Sequence, residues 1–134
     1  MIRTTLSGDS VTNDKRNGSF NVPANTAEGV PFKNETNTEV QIHFEADGQW
    51  QSGPANPITV PEGLPGELLE NLQFPDYTPF TLIANNKDWN TAYQVGIQNE
   101  LSVPAGGTLW FLMNDQKNLY YDNTGSLTVN WSEK

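Results

Sequence analysis

The chain has 134 residues, 35% of them hydrophobic and 10% aromatic, a size and make-up that suit one domain around one core. Its 16 acidic and 7 basic side chains leave a net charge of −9, which repels phosphate backbones and anionic membranes and argues against nucleic acid as a partner. Cys is absent, which removes disulfides, thiol nucleophiles and thiolate metal sites together.

No stretch reaches the length of a transmembrane helix, and no apolar run of the secretory kind follows Met1. The expectation is cytoplasmic synthesis without membrane insertion, with release to the cell exterior left open. Eleven Gly and nine Pro punctuate the chain into short strands and many turns.

Residues 1–18 are polar and rich in turn formers, either a loosely ordered terminus or a peripheral strand over Ile2–Leu6. Ser19–Val22 reads as a strand stopped by Pro23, and Val30–Phe32 as a short one within a loop. Val40–Ala46 alternates clearly, with Val40, Ile42, Phe44 and Ala46 on one face and Gln41, His43 and Glu45 on the other. His43 is the only histidine and falls on the polar face, so it is read as structural. Asp47–Pro54 (DGQWQSGP) reads as a loop. Its Trp50 is either a core anchor or a platform for the apolar face of a ligand, and the core reading is preferred.

Ala55–Pro79 is a long connection carrying five prolines, in which Gly66–Leu72 has helical spacing over a turn or two. Phe80–Ala84 and Ala92–Ile97 read as a strand and its return about an Asn-Asn-Lys-Asp turn. Leu101–Pro104 then leads through Ala105-Gly106-Gly107 into Thr108–Met113. That last run, TLWFLM, is uniformly apolar, as a strand covered on both faces would be. Ser126–Trp131 alternates again, with Leu127, Val129 and Trp131 on one face.

The whole pattern predicts an all-β, jelly-roll-like antiparallel sandwich of roughly seven to nine strands. Its expected core includes Phe44, Leu82, Val95, Leu109, Phe111, Leu127 and Val129.

Paired antiparallel as a hairpin, the last two strands would close the loop between them and bring Asp115 near Asp122 and Asn123. Two carboxylates so placed repel, and Lys117 is the only cation in that loop. A hard divalent cation would relieve the repulsion, since calcium takes about 6–8 oxygen ligands from carboxylates, amides and carbonyls. The same residues also make an ordinary long turn. Composition alone leaves both readings open.

The stretch NDQKNLYYDNTGSLTVNW resembles the calcium-binding C-terminal hairpin of the PA-I-like bacterial galactophilic lectins. That pattern is an Asn-Asp pair, a short loop, an acidic or amide pair, then Ser/Thr-Gly-Ser/Thr and an alternating strand. Asn114-Asp115, Asp122-Asn123 and Thr124-Gly125-Ser126 stand at the matching spacing. DGQWQSGP is similar to the family's first ligand loop, and the resemblance runs roughly from Val22 to Trp131.

It implies Ca²⁺ held by the side chains of Asp115, Asp122 and Asn123 and by the carbonyls of Leu119 and Ser52. About five such contacts leave about two positions of a seven-coordinate ion for vicinal sugar hydroxyls. The same resemblance implies a galactose-type glycan touching Ser52, Asp115, Asp122 and Asn123. Galactose-specific members also use His and Gln side chains from the connection between the loops. Here PEGLPGE stands in the approximate place, without His, and Glu62 is the polar side chain assigned to that role. Family members associate, so a homo-oligomer is expected, with the C-terminal strand bearing Trp131 as its contact.

The expected function is therefore calcium-dependent carbohydrate binding. The alternative is a calcium-stapled structural or interaction domain that binds no sugar. Catalysis is not expected. Glycoside cleavage needs one protonated carboxyl of a pair, whereas a bound metal keeps both ionised. Nor can His43 alone, without Cys, build a nucleophile–base–orienter set.

Overall fold

The computed structural model describes residues 5–6 and 16–134, so most of the polar first segment, including the start of the strand read at Ile2, lies outside the described residues. The described residues form ten strands: β1 (Thr5–Leu6), β2 (Asn17–Pro23), β3 (Val30–Asn34), β4 (Val40–Gln51), β5 (Ile58–Thr59), β6 (Leu82–Asn86), β7 (Thr91–Gln94), β8 (Gln98–Val103), β9 (Thr108–Met113) and β10 (Thr124–Glu133). The described residues hold no α-helix, only a 3₁₀ turn at Tyr120–Asp122, and none is long and apolar enough to cross a membrane.

One sheet runs β1-β3-β9-β6-β7. The other runs β2-β10-β4, with β8 and β5 following one another along the far side of β4. Every pairing is antiparallel except the edge pair β1 and β3. The result is the expected β-sandwich.

Inward-facing residues of both sheets form one core, as alternation requires. All seven residues expected there are buried. At its centre Phe111 lies 5.1 Å from Phe20 and 4.9 Å from Phe44, and Phe32 meets Phe44 and Trp131 edge-on. On the outside of the first sheet the Lys87 ammonium sits 3.9 Å over the Trp110 ring.

Several expectations are corrected. β9 and β10 do not form a hairpin, because they lie in different sheets. Residues 114–123 therefore cross from one layer of the sandwich to the other. β9 is also not covered throughout: Thr108 and Trp110 are partly exposed, and continuous burial begins only at Phe111. β4 continues through Asp47-Gly48 to Gln51, so the loop read from Asp47 begins only at Ser52. Trp50 stays in phase with Phe44 and Ala46 and is buried, which settles its core role against the platform.

Gly66–Leu72 forms no helix. Leu68 is fully in solvent, while Leu72 is buried and bridges Gln116. The return strand ends at Gln94, and the next, β8, already starts at Gln98. Trp131 is only 2% exposed, and β10 is flanked by β2 and β4. That strand has neither a free edge nor a free aromatic for a second copy, so the expected oligomer contact is withdrawn.

Candidate functional site

The strand register places the two expected ligand loops side by side. β4 ends at Gln51 and β10 begins at Thr124, and these two residues are paired. Ser52 and Asn123, the next residue out on each strand, thus emerge together at one end of that sheet. Asp115 arrives from the opposite sheet, two residues beyond the end of β9.

Asn114 fixes that arrival. Its side-chain amide donates to the carbonyls of Phe74 and Thr78 at 3.0 and 2.9 Å, and its Oδ1 accepts from the Phe74 N–H. The Phe74–Thr78 turn is clamped onto the loop in this way, and Gln73 N–H bonds the Asp115 carbonyl at 2.9 Å.

Asp115 is completely buried. Its Oδ1 accepts from the Ser52 hydroxyl at 2.8 Å and from the Gln116 N–H at 2.7 Å, and its Oδ2 accepts from Asn123 Nδ2 at 2.7 Å. Three donors leave about one of a carboxylate's four lone-pair positions unused. Among the described residues no cation pairs with it. A buried carboxylate costs several kcal/mol unless a counter-charge compensates it.

Asn123 is buried beside it, and its Nδ2 also donates to the Ala24 carbonyl at 2.9 Å. Its Oδ1 is the one buried side-chain nitrogen or oxygen among the described residues without a hydrogen-bond partner. Tyr120 completes the base. Its hydroxyl donates to the Met113 carbonyl at 2.8 Å, and burial raises its pKa well above the ordinary phenol value, so it stays a donor.

Between the loops lies a cavity of about 140 Å³ lined by Ser52, Gly53, Asn56, Gln116, Leu119 and Asp122 among others. Gln116, Leu119 and Asp122 all come from the crossing loop, the last of them in its 3₁₀ turn. Of the five expected metal-ligating residues, three line this cavity and two are linked to it by hydrogen bonds. Ser52, Leu119 and Asp122 line the cavity, while Asp115 lies behind it, bonded to the Ser52 hydroxyl, and Asn123 is bonded in turn to Asp115. The Ser52 carbonyl already accepts from Asn56 Nδ2 and keeps a second lone pair.

Among the described residues no three of His, Cys, Asp and Glu converge. Any ion here would rest on two carboxylates with amide and carbonyl oxygens, a donor set that suits calcium and not zinc.

Glu62 does not join the group. It is exposed and absent from the cavity lining, and its neighbour Pro61 is tied through its carbonyl to Thr81 and Leu82. The connection reaches the site instead through Gln73–Thr78, which sequence reasoning passed over. His43 lies on the outer side of β4 between Glu45 and Glu100, at 3.5 and 3.9 Å.

Gly53 has φ +78°, and a Cβ there would stand 2.9 Å from Asp122 Oδ2. Gly53→Ala is therefore expected to displace the Asp122 carboxylate and to cost about 1–2 kcal/mol of backbone strain. The strain lowers stability with or without metal, while the displaced carboxylate should lower calcium affinity about tenfold in a calcium titration, with far-UV dichroism unchanged. Wild-type calcium affinity in this variant would show that Asp122 takes no part.

No family model and no curated protein matches the chain. Among solved structures, the N-terminal domain of EclA, a PllA-like lectin, is similar to it with 31% sequence identity and a TM-score of 0.60, covering 87% of this chain and 95% of that one.

Proposed function

The chain belongs to the family of that PllA-like lectin domain, and from this premise we propose that it binds carbohydrate through a calcium ion held between the Ser52–Asn56 loop and residues 114–123. The side chains of Asp115, Asp122 and Asn123 and the carbonyls of Ser52 and Leu119 would hold the ion.

The observation that carries this reading is Asn123 Oδ1, buried and unpartnered next to a buried, uncompensated Asp115 carboxylate. An unmet buried acceptor costs about 1–3 kcal/mol. One cation would satisfy both groups. When bound, calcium supplies coordination positions that two neighbouring sugar hydroxyls can fill.

The chain's own residues do the rest. Asp122, exposed at the cavity, accepts a charge-assisted hydrogen bond from a sugar hydroxyl. The Asn56 and Gln116 amides line the same cavity and offer both donors and acceptors. Leu119, 41% exposed, presents an apolar surface to the C–H face of the sugar ring. A galactose-type glycan is the proposed ligand, and the role is binding without turnover. Glu62 is not retained as a contact.

A glycan array probed with calcium and again with chelator tests the reading. Signals on galactose-terminated glycans are expected only with calcium. Thermal melts should show calcium stabilising the protein by about 2.7 kcal/mol at 100 times its Kd. Calcium stabilisation without any glycan signal would favour the structural staple, and glycan binding indifferent to chelator would remove calcium from the site.

A further inference from the structure

The loop that walls the proposed calcium cavity has a second side. Gln116, Leu119 and Asp122 line the first cavity, while Lys117, Asn118, Tyr120 and Tyr121 line another, of about 610 Å³, together with Gln73 and Asn25. That volume lies within the range of small-molecule sites, roughly 300–1,000 Å³. Of its lining residues, only Gln73 and Tyr120 figure in the contacts described so far, through the Gln73 N–H and the Tyr120 hydroxyl.

The chemistry of this second cavity is specific. Tyr121 is 78% exposed, an aromatic ring left in water on a chain that buries most of its other rings. A ring so placed costs solvation unless an apolar face covers it, and the C–H face of a pyranose is such a partner. Amides of Asn25, Gln73 and Asn118 surround the space and can both donate to and accept from hydroxyls.

Lys117 adds a charge. Its backbone N–H is pinned to the Asn71 carbonyl at 2.8 Å, and Asn118 follows in the left-handed region at φ +68°. The ammonium makes no ion pair among the described residues. An uncommitted cation at a cavity lined by amides and tyrosines offers a carboxylate a charge-assisted partner, against the repulsion of the chain's net charge of −9.

We propose that this cavity is a second saccharide subsite that takes a carboxylated sugar residue, its ring on Tyr121 and its carboxylate on Lys117. The inference rests on the lectin reading, because one glycan chain would lie across the loop with a residue on each side. Tyr120 is common to both sides, since it lines the second cavity while its hydroxyl donates to the Met113 carbonyl and accepts from the Asp115 N–H.

The test is calorimetric titration in calcium of wild type, Tyr121→Ala and Lys117→Gln. The probes are galactose, an oligosaccharide joining galactose to a hexuronate, and the same oligosaccharide with its carboxyl reduced to an alcohol. Galactose affinity is expected to stay within about twofold in both variants, since neither residue lines the first cavity. The uronate probe should bind wild type about threefold more tightly than its reduced form, as for one exposed ion pair. Tyr121→Ala should lose about tenfold on both oligosaccharides, and Lys117→Gln should erase the difference between them. Wild-type affinity for the oligosaccharides in Tyr121→Ala, or equal binding of the two by wild type, overturns the subsite and leaves galactose binding intact. Absence of binding to any probe by wild type overturns the lectin reading as well.

Discussion

Replacing Asp115 by asparagine is expected to weaken calcium binding about 100-fold while leaving the calcium-free protein within about 1 kcal/mol of wild type. The carboxylate is fully buried, accepts three hydrogen bonds and has no cation beside it among the described residues. Without metal, its charge is a burden that the three donors only partly offset. Asparagine keeps the shape and the acceptor that Gln116 N–H requires, and it removes the charge. The new amide would face Asn123 Nδ2, so Asn123 must turn over, which pairs its Oδ1 and gives up the bond to the Ala24 carbonyl. Nδ2 is left in the unpartnered position, a loss set against the relief of the buried charge. These changes largely cancel in the calcium-free state. In the calcium-bound state nothing cancels, because one of two charged ligands has gone. Calcium titration with thermal melts at several calcium concentrations separates the two effects. Asp115→Ala is a poorer probe, since it strands three donors at about 1–3 kcal/mol each and confuses folding with binding. Wild-type calcium affinity in Asp115→Asn would remove the ion from this loop.

Residue patterns carried the fold further than they carried its connections. Alternation in Val40–Ala46 and Ser126–Trp131 placed Phe44, Leu127 and Val129 inside, and they are inside. Alternation states which face is buried and is silent about the partner strand, so β9 and β10 were read as a hairpin although they belong to opposite sheets. Asp115 still meets Asn123, because β10 packs beside β4 and their paired ends put Ser52 and Asn123 together. The polar run Asp47-Gly48-Gln49 looked like a turn. In the fold Gly48 keeps the inward phase of β4 at φ +110°, and a Cβ there would stand 3.1 Å from the Ser126 carbonyl. Close approach of β10, a tertiary fact, keeps that position glycine.

The site residues divide in the same manner. Asp115, Asp122 and Asn123 are candidates through the resemblance of their loop to a lectin ligand loop, because acidic and amide side chains in one short loop fit an ordinary turn as well. The hydroxyl of Ser52 is not legible in the sequence, since only its carbonyl matters to the pattern, yet it is the link between Asp115 and the cavity. Glu62 rests on position alone, within a long connection whose path no local signal fixes. The bonds from Asn114 and Asp115 to residues 73–78 show which part of that connection docks. Trp131 looked available because it lies near the chain end, but strand order put it between two neighbours.

Trp50→Ala is expected to destabilise the protein by roughly 4 kcal/mol, as large core truncations do, and to lower its melting temperature by roughly 10–15 °C. The ring is 1% exposed, and its Nε1–H donates to the Phe80 carbonyl at 3.1 Å. Phe80 has φ +65°, a left-handed conformation that costs a non-glycine residue about 1–2 kcal/mol. It is held there by that indole bond and by its own N–H, which donates to the Asn114 carbonyl at 2.7 Å. Asn114 adjoins Asp115, so Trp50 supports the site from beneath. Trp50→Phe separates support from contact. It keeps most of the apolar volume and loses the indole donor, which leaves the buried Phe80 carbonyl unmet and Phe80 free to relax, at a cost of about 1–3 kcal/mol. Calcium affinity should then fall a few-fold through the loosened Asn114-Asp115 backbone. Glycan affinity at saturating calcium should stay within about twofold, since a fully buried ring touches no sugar. Melts, calcium titration and glycan titration on both variants check this. A loss of glycan affinity in Trp50→Phe with calcium affinity intact would return Trp50 to the role of sugar platform.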